Sequence, residues 1–184
     1  DRDPEARDVN GSGPDLRATY RLQLTPEFAF ADARALIPYL RDLGISHLYL
    51  SPSFQARAGS THGYDVIDPS KLSDALGGES EFVALSAAAR AAGMGIVLDV
   101  VPNHMAASDD ENPFWRDPLM RAKFFDLDWR TGENRRFFDI GELAGVRVED
   151  PEVFEVVSRK AVELVREGLV DGLRIDHPDG LANP

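Results

Sequence analysis

The sequence predicts an α/β protein built on a parallel sheet, and three features carry that prediction. Short apolar runs alternate with helical patterns along the chain, the rhythm of strand–helix–strand units. Gly95-Ile96-Val97-Leu98-Asp99-Val100-Val101 is nearly continuous in apolar side chains, as expected of a parallel strand covered on both faces. Two of the runs end in polar groups, and parallel α/β enzymes keep their chemistry at such strand tips.

The elements follow in order. Residues 1–18 are charged, contain Gly and Pro and are poor in large apolar side chains, which reads as a mobile leader before a domain over 19–184. Thr19–Leu24 is the first strand. Asp32 is placed as the N-cap of a helix that turns Leu36, Ile37, Leu40 and Leu43 inward and stops at Gly44. Ser46–Leu50 is the second strand, followed by a long loop through Gly63. Glu79–Ala92 is a helix with Phe82, Leu85 and Ala89 on one face, ended by Gly93. Gly95–Val101 is the third strand. Asp150-Pro151-Glu152 opens a helix with Phe154, Val157, Ala161, Leu164 and Val165 inward, closed by Gly168. Gly172–Asp176 is the fourth strand. Four parallel strands with crossover helices fit either an open sheet or half of a closed barrel.

The fourth strand carries the clearest chemical signal. Side chains alternate along a strand, so Arg174 and Asp176 share one face while Leu173 and Ile175 share the other. A guanidinium beside a carboxylate favours the ionised acid and fixes its orientation. Pro178 and Gly180 then break the strand and leave Asp176 at its tip. A structural ion pair is the blander account. The third strand adds Asp99 within its apolar run, then Asn103 and His104 after Pro102. An aspartate there needs a partner from a neighbouring strand, because an unpaired charge is costly to bury.

Composition narrows the class. The chain of 184 residues suits one domain with a sizeable core, at 43% hydrophobic and 28% charged content. Its net charge of −12 repels phosphate backbones and anionic membranes, so neither nucleic acid nor membrane is an expected partner. It has no cysteine, hence no disulfide framework or thiolate metal site, which fits a cytoplasmic setting. No apolar run reaches the length of a signal or spanning segment.

Asp99-Val100-Val101-Pro102-Asn103-His104 and Gly172-Leu173-Arg174-Ile175-Asp176 resemble two signature regions of the α-amylase family of glycoside hydrolases and transglycosylases. Ser60-Thr61-His62-Gly63-Tyr64-Asp65-Val66 resembles the loop after that family's second barrel strand. Further segments resemble one branch, the malto-oligosyltrehalose synthases: Tyr20–Thr25, His47–Pro52, Arg136–Ile140 with Glu142–Arg147, and Asp176–Leu181. The likeness runs from about Tyr20 to the last residue.

The resemblance implies the N-terminal half of a (β/α)8 TIM barrel, with residues 106–148 as an excursion or small subdomain after the third strand. Phe114, Trp115, Phe124, Phe125, Trp129, Phe137 and Phe138 lie in it, either as sugar-stacking surfaces or as a local core. Between Trp129 and Arg136 known synthases carry a much longer segment than the six residues present here. The implied reaction is retaining transfer on a maltodextrin, turning the reducing-end α-1,4 link into an α,α-1,1 link. Asp176 takes the nucleophile position and Arg174 keeps it anionic. His62, Tyr64, Asp65, Asp99, Asn103, His104 and His177 form the substrate pocket, with Tyr64 as stacking platform and His104 as donor to a sugar hydroxyl. No cofactor and no metal ligand set is expected, because Arg174 already balances the charge a cation would need.

The family's general acid lies after the next barrel strand, whereas the sequence ends eight residues after Asp176. The isolated chain is therefore expected to be inactive and, with open sheet edges, to self-associate. Three other readings compete: an α-amylase-type hydrolase, a non-catalytic glucan-binding half barrel, and a metal hydrolase using His62, Asp65, His104 and Asp176. Against the last, the first strand offers Tyr20-Arg21-Leu22-Gln23 where barrel amidohydrolases place a His-x-His pair.

Overall fold

In the computed structural model, residues 13–128, 130–131, 136–137 and 140–181 are described. A parallel sheet forms from β1 (Thr19–Leu22), β2 (His47–Leu50), β5 (Gly95–Val100) and β9 (Gly172–Ile175), in that spatial order. Sequence order and spatial order agree, as right-handed crossovers that wind in one direction require. Register aligns Arg21 with Tyr49, Tyr49 with Val97, and Asp99 with Arg174. One face of the sheet is therefore a row of polar and aromatic side chains.

The other face is the core. Leu22, Leu48, Leu50, Ile96, Leu98 and Val100 are buried against Phe30, Leu40, Phe82, Leu85 and Leu164 of the surrounding helices. These helices are α1 (Phe30–Ala35), α2 (Ile37–Asp42), α3 (Gly78–Ala91) and α6 (Pro151–Arg166). Burying one such Leu or Phe contributes roughly 1.5–3 kcal/mol, so this face dominates stability. The third strand is covered on both faces as expected: on the side opposite the core Asp99 is buried and Val97 half-buried.

The helices depart from the sequence expectation in four places. Asp32 is not the N-cap: Ala29 holds that position, and the Asp32 carboxylate accepts from the Ala29 amide at 2.9 Å from within the first turn. The expected single helix is two, because Pro38 lacks an amide proton and α2 starts afresh around it. Leu43 is exposed. In α6, Asp150 caps the helix as expected, accepting from the Glu152 amide at 2.9 Å. Its inward face, however, runs through Val153, Lys160, Ala161 and Leu164, leaving Phe154 and Val165 exposed. Apolar residues occupy more than one face of that helix, and the sheet covers just one.

The long loop after β2 contains an antiparallel pair, β3 (Phe54–Ala56) and β4 (Val66–Leu72), with irregular register. Beyond β5, β6 (His104–Ala106), β8 (Ile140–Gly145) and β7 (Arg136–Phe137) form a second sheet beside α4 (Pro113–Arg116) and α5 (Pro118–Phe124). This unit has its own core of Met105, Phe124, Phe125, Ala144, Val146 and Val153. The Phe114 and Phe124 rings lie 4.8 Å apart, and Trp115 meets Phe125 edge-on at 5.1 Å. These aromatics form a local core. Trp129 and Phe138 lie outside the described residues, as do residues 1–12 of the leader expected over 1–18. At the near end of that segment, the Arg17 and Ala18 amides donate to Ser46 Oγ at 2.9 and 3.0 Å. No helix among the described residues is long and apolar enough to cross a membrane.

Candidate active site

Strand alternation brings Arg21, Gln23, Tyr49, Asp99, Arg174 and Asp176 to the polar face of the parallel sheet, near its C-terminal edge. Asp99 is fully buried and is the hub. Its Oδ1 accepts from Arg174 Nη1 at 3.0 Å, and its Oδ2 accepts from the Tyr64 and Tyr49 hydroxyls at 2.7 and 3.1 Å. The expected partner from a neighbouring strand is thus present twice, as Tyr49 on β2 and Arg174 on β9, and Tyr64 adds a third from the loop. Arg174 also donates to Asp176 Oδ1. Asp176 is 6% exposed, and its amide is tied to the Val100 carbonyl at 2.9 Å.

Two opposite charges raise the Arg174 pKa further above its usual value, led by the hydrogen bond to Asp99. Burial, then the hydrogen bond to Asp99, pushes the Tyr64 hydroxyl up to about 12. Tyr64 is therefore a neutral donor at physiological pH, and Arg174 a fixed cation.

Asn103 and His104 do not point toward open space. The Asn103 amide nitrogen donates to the backbone carbonyls of Asp176 and His177, each at 2.7 Å. His104 Nδ1 lies 2.5 Å from Asn103 Oδ1, and Nε2 lies 2.9 Å from the Tyr64 carbonyl. Both ring nitrogens therefore face protein oxygens, because β6 buries the ring beneath the Tyr64 loop. Burial also holds the His104 pKa below the usual imidazole value, outweighing the Tyr64 carbonyl and the Asp176 charge that favour protonation. This pair ties the strand tip that carries Asp176 to the loop that carries Tyr64.

The loop is built by local contacts. Ser60 Oγ donates to Asp65 Oδ1 at 2.5 Å, and the Tyr64 amide donates to His62 Nδ1 at 3.0 Å. The His62 and Tyr64 rings stack at 6.1 Å with 26° between their planes, and the His62 side chain is largely exposed. Gly63 has a positive φ of 78°, and a Cβ there would collide with the Pro52 carbonyl, so only glycine fits. His177 is exposed at φ 42°, a left-handed conformation rare for a side-chain-bearing residue, and its carbonyl is held by Asn103.

Sequence reasoning did not single out Tyr49, Arg21 or Gln23. The available signal was alternation: in His47-Leu48-Tyr49-Leu50 the leucines face the core, so Tyr49 must face the polar side with Asp99. Of the four residues of the metal-hydrolase reading, His62 Nδ1 and Asp65 Oδ1 lie 3.8 Å apart, while both ring nitrogens of His104 face protein oxygens. Among the described residues, the acidic or imidazole group close enough to share an ion is Glu79, Glu163 and Glu167, exposed and on the helices.

A buried aspartate at the end of a parallel strand, paired with an arginine two residues earlier and bordered by a Tyr-bearing loop, places a charged cluster at the strand tips of an α/β fold. The chain belongs to the α-amylase catalytic-domain family, whose profile matches residues 35–182. A curated relative from Mycobacterium tuberculosis, named for maltooligosyl trehalose synthase, is 36% identical over 241 aligned positions, covering 91% of this chain and 32% of the relative. That alignment is longer than the 184-residue chain, so the relative carries residues without a counterpart here. The structure of maltooligosyltrehalose synthase from Arthrobacter ramosus superposes with a TM-score of 0.84 at 36% identity, over 89% of this chain and 31% of that one. An α-amylase from Geobacillus thermoleovorans shares the fold, with a TM-score of 0.73 at 22% identity over 89% of this chain and 40% of that one. The chain thus spans about a third of the length of the synthase relatives it matches.

Proposed function

We propose that this chain is the nucleophile-bearing part of a malto-oligosyltrehalose synthase, a (1→4)-α-D-glucan 1-α-D-glucosylmutase, acting on maltodextrin. The observation that carries the reading is the Arg174–Asp176 pair at the tip of β9, with Asp99 locked behind it. Asp176 attacks the anomeric carbon of the penultimate glucose unit, the one next to the reducing end; one carboxylate oxygen becomes the bridging oxygen of a covalent glycosyl ester as the bond from that carbon to O4 of the terminal glucose breaks. The leaving oxygen departs with a proton from an acid supplied by the remainder of the barrel. The hydroxyl at C1 of the released glucose gives its proton to that same, now ionised, acid and attacks the anomeric carbon of the ester; the bond to Asp176 breaks, its carboxylate is restored and an α,α-1,1 link remains.

Arg174 holds Asp176 in its attacking orientation. Asp99 is fully buried and accepts from three side chains, so it anchors the pocket instead of meeting the reacting atoms. Tyr64 and His62 offer a stacked ring surface to a sugar face. Asp65 and His177 border the same cleft, and Asn103 and His104 fix its two walls to each other. Residues 106–148 serve as a subdomain over that cleft, with the described aromatics in its core.

The test is a chimera in which this chain replaces the matching third of the Arthrobacter ramosus synthase. Incubation with maltopentaose should yield a non-reducing product, and Asp176→Asn should abolish it while maltodextrin binding persists. Turnover by Asp176→Asn above about one hundredth of the parent would remove Asp176 from the nucleophile role. Reducing sugars as the main product would favour a hydrolase of the same family.

A further inference from the structure

We infer that Arg21, together with Gln23, is a positioning residue for the Tyr64 platform. The inference rests on the reading of Tyr64 as part of the sugar pocket and adds residues that the nucleophile argument does not need. In β1 and the residues after it, Leu22 and Leu24 are buried in the core, so Arg21 and Gln23 face the same side as Tyr49 and Asp99. Arg21 is exposed there, and a charge is not required to pack the strand.

Its contacts are specific. Arg21 Nη1 donates to Gln23 Oε1 at 2.8 Å, Nη2 donates to the Tyr64 hydroxyl at 3.2 Å, and the guanidinium lies 5.4 Å from the centre of the Tyr49 ring. Gln23, oriented by Arg21, donates to the Thr61 and His62 carbonyls at 3.2 and 3.4 Å. The two side chains therefore grip the loop twice, by its backbone at 61–62 and by its ring at Tyr64. A phenol has one proton to give. Because Arg21 occupies a lone pair of the Tyr64 oxygen, that proton is directed to Asp99 Oδ2, 2.7 Å away. The ring is thus held at its far end by a donor and an acceptor at once, which fixes its plane. A merely solvated arginine would not make all three contacts. Lysine could meet Tyr64 or Gln23 but lacks the planar fork that serves both.

Two measurements test this. In the 184-residue chain, Arg21→Met should accelerate amide exchange of residues 58–66 about tenfold while 95–100 stays unchanged, a local opening rather than global loss. Arg21→Lys should fall between. Unchanged exchange at 58–66, or equal acceleration in both segments, would overturn the inference. In the chimera, Arg21→Met should raise KM for maltopentaose about tenfold with kcat within about threefold, since a stacking platform contributes to ground-state binding. An unchanged KM beside faster loop exchange would show that the loop is held by Arg21 but is not a platform. Asp176→Asn separates the two readings: if that variant still turns over, the nucleophile assignment fails, whereas the exchange result for 58–66 stands by itself.

Discussion

Arg174 Nη1 stands between two buried carboxylates, 3.0 Å from Asp99 Oδ1 and donating as well to Asp176 Oδ1. One nitrogen serves the carboxylate of Asp99 on the neighbouring strand and that of Asp176 at its own strand tip. The register Asp99↔Arg174 makes this unavoidable once both side chains face the same side. Removing the cation leaves two buried anions facing each other, and their repulsion is what the chain must then accommodate.

Arg174→Leu should therefore destabilise the chain by about 2 kcal/mol at pH 7, less than for a wholly buried pair because Arg174 is itself half exposed. Chemical denaturation at pH 7 checks this beside Arg174→Lys, which keeps the charge, and an equal loss in both variants would mean that the pair contributes packing rather than charge.

Asn103→Ala should cost about 2 kcal/mol as well, by a different route. It strips the donor from two backbone carbonyls, Asp176 and His177, and leaves them without that partner beside a buried site. The damage should be local. In crystals or by NMR, the tip from 176 to 180 should shift while β5 and β2 keep their positions. Unfolding of the whole sheet by this one change would show a wider role.

Much of the parallel scaffold was legible because each cue was local. The apolar run at 95–101, the Asp150-Pro151 helix start and the alternation around Arg174 depend on neighbours in sequence. The elements that escaped depend on distant partners. In β4, Val66-Ile67-Asp68-Pro69-Ser70-Lys71-Leu72 has a proline and three polar residues, so no period-two pattern marks it as a strand. Its pairing with Phe54–Ala56 supplies what the pattern lacks. The orientation of α6 was likewise missed by one residue, because Phe154 is as apolar as the buried Val153 and only the packing distinguishes them. At the site, Asp99, Arg174 and Asp176 declared themselves as polar residues in apolar strands. Tyr49 and Arg21 did not, since an aromatic or an arginine is unremarked on a strand until its register partner is known.

Stability should fall in two separate pH windows. Burial lowers the His104 pKa in the folded chain from the ordinary 6.5, so the unfolded chain binds that proton first as pH drops. Stability from this group is complete above about pH 7.5 and declines as pH falls through 6.5 toward the folded value. Glu111 follows later. Its carboxylate accepts from the Ala58 amide and Arg57, each at 2.8 Å, and these bonds hold its pKa below the usual 4.5. Its contribution is present above 4.5 and is lost below it. Melting temperatures across pH 3–8 should show both steps, and His104→Gln should flatten the upper one alone. A slope between pH 7.5 and 5 that survives His104→Gln would refute the assignment.

Divalent cations should leave the chain's melting temperature unchanged. The acidic group at Glu79, Glu163 and Glu167 already contains a cation: Lys160 Nζ lies 2.9 Å from Glu79 and 3.2 Å from Glu163. Calcium or magnesium at millimolar concentration would have to displace that buried ammonium. A rise of more than about 2 °C on adding calcium, reversed by a chelator, would reveal a cation site that this geometry disfavours. Chimera activity should survive chelation too, because Arg174 balances the charge around Asp176.

A polypeptide of these 184 residues should self-associate and should not turn over maltodextrin. Among the described residues, β1 and β9 each pair on one side only, Leu173 and Ile175 are exposed on β9, and Phe154, Val162 and Val165 are exposed on α6. Unpaired strands and exposed apolar side chains favour association. The net charge of −12 opposes it. The balance is set by salt: at 0.01 M ionic strength the Debye length is about 30 Å and the copies repel, whereas at 0.15 M it is about 8 Å and apolar contact wins. Light scattering should show a monomer in the first condition and larger species in the second. A monomer at both would mean that the exposed apolar surface is too dispersed to bind. On the proposed reading, in which the acid comes from another part of the barrel, turnover should be absent in either state, because loss of a general acid alone removes about 10²–10⁴-fold in rate. A non-reducing product from maltopentaose, above the level of an Asp176→Asn control, would show that a residue within this chain supplies the proton.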